Sequence, residues 1–187
     1  MPTYLDALNK ILSLGTIFLQ VIILLLMVNL IFFRNTKNKI LLFFKKYTFL
    51  LGFLSGLGAV VLSLFYSEII GFPPCELCWV QRLFLYPQMI LFGLGLYKKD
   101  KSIVDYSLIF AILGSMTSIY HIYIENGGSS GLGCAVIDPS KTNQVSCAIR
   151  YVYEFGYITI PVMCLTLSLF IIAIILNYKY ITKNTLN

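Results

Sequence analysis

The chain contains 187 residues, of which 58% are hydrophobic and only 12% are charged, and its mean hydropathy is +0.84. This composition excludes an ordinary soluble domain and predicts an integral membrane protein. The formal net charge of +6 comes from cations gathered in the connections between apolar segments, so it does not indicate a nucleic-acid partner.

Five apolar segments approach or reach the roughly 20 residues that a helix needs to cross a membrane. A strand of a membrane barrel would instead need about 10 residues of alternating polarity. The sequence therefore predicts an all-α, polytopic membrane helix bundle. The predicted spans are residues 11–33, 47–70, 79–97, 103–124 and 155–178.

The first of these segments follows Lys10 and has some features of a signal peptide. It is longer than the apolar core of a usual signal peptide, and no small-residue cleavage site follows it. We therefore expect a retained helix that crosses the membrane from the outer to the inner side.

Ten of the 14 cations fall at one end of the predicted bundle. Because Lys and Arg collect in short cytoplasmic loops, this end is expected to be cytoplasmic, with the C-terminus. The N-terminus and all cysteines but one then face outward, where disulfides can persist. The ten cations are Arg34, Lys37, Lys39, Lys45, Lys46, Lys98, Lys99, Lys101, Lys179 and Lys183.

The link before the third span ends in two prolines, and a close cysteine pair, Cys75 and Cys78, follows at once. Paired prolines end one helix and present these cysteines at the start of the next. With two residues between them, the sulfurs can reach each other, and a helix N-terminus stabilises a thiolate. The motif predicts a dithiol that cycles to a disulfide at a membrane surface.

Arg82 lies one helical turn after Cys78 and is the only cation inside a predicted span. Its guanidinium could stabilise a thiolate and donate to a carbonyl oxygen, or simply extend back to the lipid headgroups. Two electrons that leave a dithiol need an acceptor, and the acceptor that a membrane supplies is a lipid-soluble quinone. Gln81 could add a hydrogen bond, although a polar residue at headgroup level commonly has no such role.

His121, the only histidine, is predicted near the same end of the fourth span, at about the depth of Arg82. It could donate to a quinone oxygen or take up its proton. A lone interfacial histidine is more often merely solvated. Cys164, inside the last apolar segment, is assigned no function because buried thiols in apolar surroundings are usually inert.

The long segment 125–154 begins with a Gly/Ser-rich stretch and carries Cys134 and Cys147. A loop of this length without evident secondary structure is usually functional or disordered. A second reactive thiol pair on a mobile arm is one interpretation, and an ordinary disulfide that staples an exposed loop is the other. Zinc is a weaker alternative, because structural zinc sites use closely spaced cysteine pairs and this pair is widely spaced.

These features together resemble the disulfide bond formation protein B family (DsbB), especially its BdbC-like branch. The resemblance rests on residues 74–82 with Tyr86 and Pro87, on residues 120–123 before the cysteine loop, and on residues 155–161. It implies a four-helix bundle in the bacterial cytoplasmic membrane that reoxidises an extracytoplasmic thioredoxin-fold thiol oxidase (DsbA/BdbD-like). The electrons would pass to ubiquinone or menaquinone.

The resemblance also implies roles for individual residues. A disulfide between Cys134 and Cys147 would accept electrons from the partner, with Cys134 forming the mixed disulfide, and would exchange with Cys75 and Cys78. Cys78 would then deliver electrons to the quinone, with Arg82, His121 and Gln81 as the quinone-binding residues.

One departure from the family pattern is the extra first span. The predicted division is residues 1–46 for this helix and its basic connection, 47–178 for the bundle with redox loops 71–78 and 125–154, and 179–187 for a cytoplasmic tail. Two other functions stay open: a vitamin K epoxide reductase-like enzyme of quinones and thiols, and a non-catalytic membrane scaffold with structural disulfides. The arginine shortly after the CxxC motif favours the DsbB-like reading.

Overall fold

The computed structural model describes residues 3–33, 39–128, 134 and 146–186. Five helices in these ranges are long and apolar enough to cross a membrane, and the ranges contain no strand beyond one isolated bridge. The all-α membrane bundle is therefore confirmed. The helices are α1 (Thr3–Val28), α2 (Lys39–Leu64), α3 (Glu76–Lys98), α4 (Ile103–Glu125) and α5 (Ile160–Leu186); π-helical turns, Asn29–Phe33 and Phe65–Ile69, extend α1 and α2.

Two boundaries at the basic end of the bundle differ from the sequence prediction. Helix α2 begins at Lys39 instead of residue 47, so three lysines that were assigned to the connection lie on its first turns. Long lysine stems can cover apolar helix surface while their ammonium groups stay in water, so these charges do not stop the helix. Helix α5 continues to Leu186, through the residues assigned to a tail, because this stretch contains no Gly or Pro.

The start of α5 was predicted too early, at residue 155. Phe155 and Gly156 have positive φ angles of 50° and 78°, which a right-handed helix cannot include. They form a turn closed by mutual backbone hydrogen bonds between Glu154 and Ile158, of 3.0 and 2.9 Å. The aromatic residues of this turn gave the sequence the apolar character of a span.

Helices α2, α3, α4 and α5 form a ring, and α1 packs on the outside of α5. Gly52 and Gly56 of α2 allow close approach to α3, since a Cβ at either position would stand 2.5 Å from Phe92 or from the backbone of Met89. A buried apolar cluster joins α3, α4 and α5 around Phe92. The four-helix core with one added N-terminal helix is thus present.

Helix α1 is attached to this ring by polar side chains. The Tyr66 hydroxyl of α2 donates to Asn9 Oδ1 at 2.5 Å. The Gln20 side chain donates to Thr166 Oγ1 of α5 at 3.1 Å and accepts from the Tyr157 hydroxyl at 2.9 Å. Such interhelical hydrogen bonds satisfy polar groups that lipid cannot.

Candidate functional site

The first cysteine pair lies at the beginning of α3. Cys75 is the N-cap residue, with extended backbone, and its sulfur accepts a hydrogen bond from the Cys78 backbone N–H at 3.3 Å. Both cysteines are free thiols, and their sulfur atoms are 2.8 Å apart. The sulfurs are therefore already placed for forming a disulfide across the first helical turn. We call this end of the bundle the redox end.

The second pair, Cys134 and Cys147, is joined by a disulfide, which is the pairing that the family resemblance implies. Both residues are buried, at 4% and 2% exposure, in one cluster with Cys75, Leu77 and Ile124. The loop disulfide is thus packed directly onto the start of α3 and the end of α4.

The two cysteine pairs are within reach of each other. The sulfur atoms of Cys75 and Cys147 and a ring nitrogen of His121 all lie within 4.8 Å of one another. Exchange between thiols and disulfides requires a thiolate to reach a disulfide sulfur, and only a small movement separates these atoms. As a metal site the cluster is incomplete, because Cys147 is bonded to Cys134 and only two ligands remain among the described residues.

His121 belongs to this cysteine cluster. Its Nε2 lies 3.2 Å from the Cys147 carbonyl oxygen and 3.8 Å from the Cys75 sulfur, and the side chain is buried. Since a carbonyl oxygen only accepts, Nε2 carries the proton, and Nδ1 is a buried acceptor without a partner among the described residues. The structure therefore places His121 beside the sulfurs of the two cysteine pairs, and its binding to a quinone stays a prediction.

The acidity of Cys75 reflects its neighbours. Its pKa is raised well above the ordinary value of a thiol, first by the hydrogen bond to the Cys78 sulfur and second by burial. We therefore expect Cys75 to keep its proton in the reduced pair, and the sulfur–sulfur contact allows it to donate to Cys78. The sulfur of Cys78 is then the acceptor, next to the Arg82 side of the motif.

A cavity of about 520 Å³ opens on that side, between α1, α2, α3 and α5. Cys78, Gln81 and Arg82 all line it, whereas His121 does not. Most of the remaining lining is apolar. Of the predicted quinone-binding residues, the structure brings Arg82 and Gln81 to one wall with Cys78.

The charge of Arg82 is not neutralised by a carboxylate among the described residues. Its Nε donates to Ser63 Oγ at 2.8 Å, its Nη2 donates to the Ser63 carbonyl at 3.2 Å, and the guanidinium lies 4.9 Å from the Trp79 ring centre. A guanidinium has five N–H donors, so further donors remain for a ligand. Gln81 is more constrained, because it is buried and its Nε2 donates to Ser118 Oγ at 3.1 Å.

A small pocket on the other side of Cys78 contains Cys75, His121 and Glu125, and we call it the exchange pocket. Cys78, Tyr151 and Ile160 line both this pocket and the large cavity. Tyr151 stacks on Phe72, with ring centres 4.6 Å apart. The pKa of Tyr151 is raised first by burial and then by the charges of the nearby Cys75 and Cys78 sulfurs.

Sequence reasoning missed Phe72, Glu125 and Tyr151. Phe72 directly precedes the two prolines, and an aromatic residue next to a rigid link is the one signal that could have drawn attention to it. Glu125 ends α4, and its Oε2 accepts from Thr159 Oγ1 at 2.8 Å. Cys164, which was assigned no function, also faces the large cavity.

A membrane helix bundle that holds a free CxxC pair against a disulfide defines a membrane protein of the thiol–disulfide class. The model of the family described as "Disulfide bond formation protein DsbB" matches residues 45–178. The chain therefore belongs to the DsbB family and is a membrane disulfide formation protein. This membership decides against the vitamin K epoxide reductase-like alternative.

Relatives with similar sequences carry names of the same kind. The chain is 35% identical over 135 residues to "Probable disulfide formation protein C 2" of Bacillus cereus, which covers 72% of this chain and 91% of the relative. It is 42% identical over 119 residues to "SPbeta prophage-derived disulfide bond formation protein B" of Bacillus subtilis, and the match covers 64% of this chain and 76% of the relative. "Disulfide bond formation protein C" of the same species is 39% identical over 116 residues, and the match covers 61% of this chain and 79% of that relative. No solved structure matches the chain significantly.

Proposed function

We propose that the protein is a thiol:quinone oxidoreductase that reoxidises a thioredoxin-fold thiol oxidase (DsbA/BdbD-like) and passes the electrons to ubiquinone or menaquinone. Its site would lie at the outer face of the bacterial cytoplasmic membrane. The C-terminus would be cytoplasmic, because Lys98, Lys101 and Lys183 lie at the end of the bundle opposite to the cysteines.

The observation that carries this proposal is the position of Cys78. Among the described cysteines it alone lines both the exchange pocket and the large cavity that contains Arg82. Electrons that arrive from the loop disulfide can therefore reach the large cavity through the Cys78 sulfur. This sulfur does not have to move from one space to the other, because it borders both.

In each proposed step, one sulfur–sulfur bond forms as another breaks, and the displaced sulfur leaves as a thiolate. A partner thiolate attacks Cys134 and releases the Cys147 thiolate, and the partner's second thiolate then displaces Cys134, which leaves the partner oxidised. The Cys147 thiolate attacks Cys75 of the oxidised CxxC pair and releases Cys78 as a thiolate. Cys134 finally displaces Cys75 from Cys147, which restores the loop disulfide. The described pairing, with the loop oxidised and the CxxC reduced, corresponds to this stage.

The large cavity fits a quinone because a guanidinium with spare donors and a redox sulfur share one wall of an otherwise apolar space. Arg82 and Gln81 would hold the carbonyl end. Bound there, a quinone supplies the oxidising power, because it accepts the two electrons and two protons that the dithiol loses. The positive charge of Arg82 favours the thiolate form of Cys78, and the N-terminus of α3 adds to this effect.

The direct test is anaerobic mixing of the purified protein with reduced partner and either quinone. Quinone absorbance and partner cysteine oxidation are expected to change together. Cys78→Ala should abolish quinone reduction, whereas Val80→Ala, an exposed position on the same helix outside both pockets, should retain it. Quinone reduction that survives in Cys78→Ala would reject this electron route.

A scaffold with a static disulfide is the competing interpretation, and the burial of Cys134 and Cys147 is what favours it. Thiol trapping during turnover separates the two. A static bridge stays oxidised throughout, whereas an exchanging pair yields a mixed disulfide with a partner variant that lacks the second cysteine of its own reactive pair.

A further inference from the structure

Helix α1 lies outside the residues that the family model matches, yet one of its faces forms part of the large cavity. Positions 11, 12, 15, 16 and 19 of α1 line it, which is the spacing of a single helix face. We infer that α1 and α2 frame a side opening through which the prenyl chain of a quinone passes between Arg82 and the lipid, with Gly15 and Gly58 keeping that opening wide. This inference rests on the proposed function.

Among the described residues, the two helices that frame the opening are joined at two levels. Towards the redox end, the Tyr66 hydroxyl of α2 donates to Asn9 of α1. Towards the basic end, Leu26 of α1 and Leu41 of α2 are fully buried in one apolar cluster. Between these levels the helices are separated by the cavity, so the opening has an upper and a lower limit.

The glycines at this opening differ from the glycines that serve helix packing. A Cβ at Gly15 or Gly58 would have no atom within 4 Å, although both residues line the cavity. At Gly52 and Gly56, which lie six and two residues before Gly58 on α2, a Cβ would collide with α3. Close packing therefore explains Gly52 and Gly56, whereas Gly15 and Gly58 leave space that no described residue fills.

The opening is on the lipid side of the bundle. Ile11 of α1 and Leu54 of α2 line the cavity and are also 65% and 51% exposed on the surface of two membrane-spanning helices. An occupant therefore meets an unpaired guanidinium at one end and lipid at the other. A polar quinone ring with a long isoprenoid chain has this distribution of chemistry.

The wall formed by α1 is held in place on the α5 side. Gln20 donates to Thr166 and accepts from Tyr157, so α1 is anchored both to α5 and to the turn before it. The edge of α1 that faces α2 is open between the level of Asn9 and the level of Leu26. Bulk added at position 15 or 58 would narrow the opening without touching Cys78 or Arg82.

The test uses the full-length protein and compares a long-chain menaquinone or ubiquinone with its chain-free ring, such as menadione. Trp79 is the only tryptophan and lies against Arg82, so quenching of its fluorescence reports quinone binding without any turnover. Gly15→Leu and Gly58→Leu are expected to weaken binding of the long-chain quinone by about tenfold relative to the chain-free ring, the equivalent of about 1.4 kcal/mol. Gly15→Ala and Gly58→Ala should produce the same selectivity to a smaller degree.

The matched control is Ala7→Leu, which adds a similar side chain on an exposed part of α1 outside the cavity and should leave both affinities unchanged. Equal affinities for both quinones in the wild type and the Leu variants would overturn the inference and assign the opening to another chain, such as a lipid acyl group. If the wild type neither binds nor reduces either quinone, the proposed function itself fails. If a Leu variant does not fold, the relative affinities of Gly15→Ala and Gly58→Ala for the two quinones provide the same test.

Discussion

The two spaces on either side of Cys78 differ in size and in what fills them. The exchange pocket is small and is lined by cysteines, His121 and Glu125. The large cavity has room for a ligand, and Arg82 is the one charged residue among the described residues that line it. Transfer between disulfides needs sulfur atoms in near contact, and a lipid-soluble acceptor needs space and a route to the bilayer. One helix N-terminus, that of α3, serves both requirements because successive turns face different spaces.

The largest effect is expected from breaking the exchange pocket alone. Cys147→Ala should lower partner oxidation by at least about a thousandfold, because the variant has no loop disulfide for a partner thiolate to attack. Its free Cys134 should still form a mixed disulfide with the oxidised partner, whose second sulfur leaves as a thiolate. Quinone reduction should persist when the CxxC pair is reduced directly by dithiothreitol. Gel analysis of the mixed disulfide measures the reaction with the partner, and quinone absorbance measures quinone reduction. Loss of both activities would show that the two spaces are not separable.

A substitution of Arg82 alters the large cavity and leaves the residues of the exchange pocket unchanged. Arg82→Ala is expected to raise the apparent KM for quinone roughly 10- to 100-fold, since a hydrogen bond from a charged donor contributes about 1.5–3 kcal/mol. The rate at which the partner adduct forms should stay at the wild-type value. Arg82→Lys should recover only part of the affinity, because an ammonium lacks the planar fork.

Leu83→Ala, at the neighbouring exposed position of α3, is the control for the loss of Arg82. An unchanged quinone KM in Arg82→Ala would remove this guanidinium from the quinone site.

The raised pKa of Cys75 gives a pH test of the exchange pocket. Because Cys75 binds its proton more tightly in the folded than in the unfolded protein, this protonation stabilises the fold at neutral pH and the contribution is lost as the pH rises. Alkylation of Cys75 by iodoacetamide should therefore stay slow at pH 7 and still increase above pH 9. Cys78→Ala removes the principal cause of the shift, so alkylation at pH 7 should become about tenfold faster for each unit by which the pKa falls.

Burial of Cys75 persists in Cys78→Ala, so the pKa should return only part of the way to its ordinary value. Peptide mapping of the alkylated residue measures this directly. Equal alkylation rates with and without Cys78 would contradict the inferred hydrogen bond between the two sulfurs.

The smallest effect concerns the boundary between the two spaces. Tyr151→Ala removes the ring that stacks on Phe72 and lines both pockets. Such ring pairs contribute about 0.5–1.5 kcal/mol, so labelling of Cys78 by a water-soluble thiol reagent should become several-fold faster. Tyr151→Phe keeps the ring and should behave as the wild type. If Tyr151→Phe accelerates labelling as much as Tyr151→Ala, the hydroxyl and not the ring forms the boundary.

Local sequence features were sufficient for the number of helices and for the cysteine–arginine motif, but not for the start of α2 or the two ends of α5. The CxxC after two prolines predicted the start of α3, and the spacing of Cys78 and Arg82 predicted a common helix face. The contact of Tyr151 with Phe72 was not predictable, because it depends on the path by which the loop returns to the bundle. The same reason explains why His121, placed by depth beside Arg82, lies among the cysteines.

Helix α1 shows a second limit of sequence reasoning. Its apolar length predicted a membrane span, but hydropathy does not indicate which neighbour a helix packs on. Asn9 and Gln20 supply that information through hydrogen bonds to α2, α5 and the turn before α5. Gly15 gives no local signal of its place at a cavity, because a glycine at an open position and one at a tight contact look alike in sequence.

The stacked rings of Tyr66, Phe72 and Tyr151 have a mechanical consequence. They form a continuous column from α2, through the proline link, to the segment that follows Cys147. A shift of the segment after Cys147 would therefore displace Phe72 as well, and with it the proline link and the backbone that orients Cys75. The stacked rings thus couple the position of the disulfide loop to the geometry of the free thiol pair.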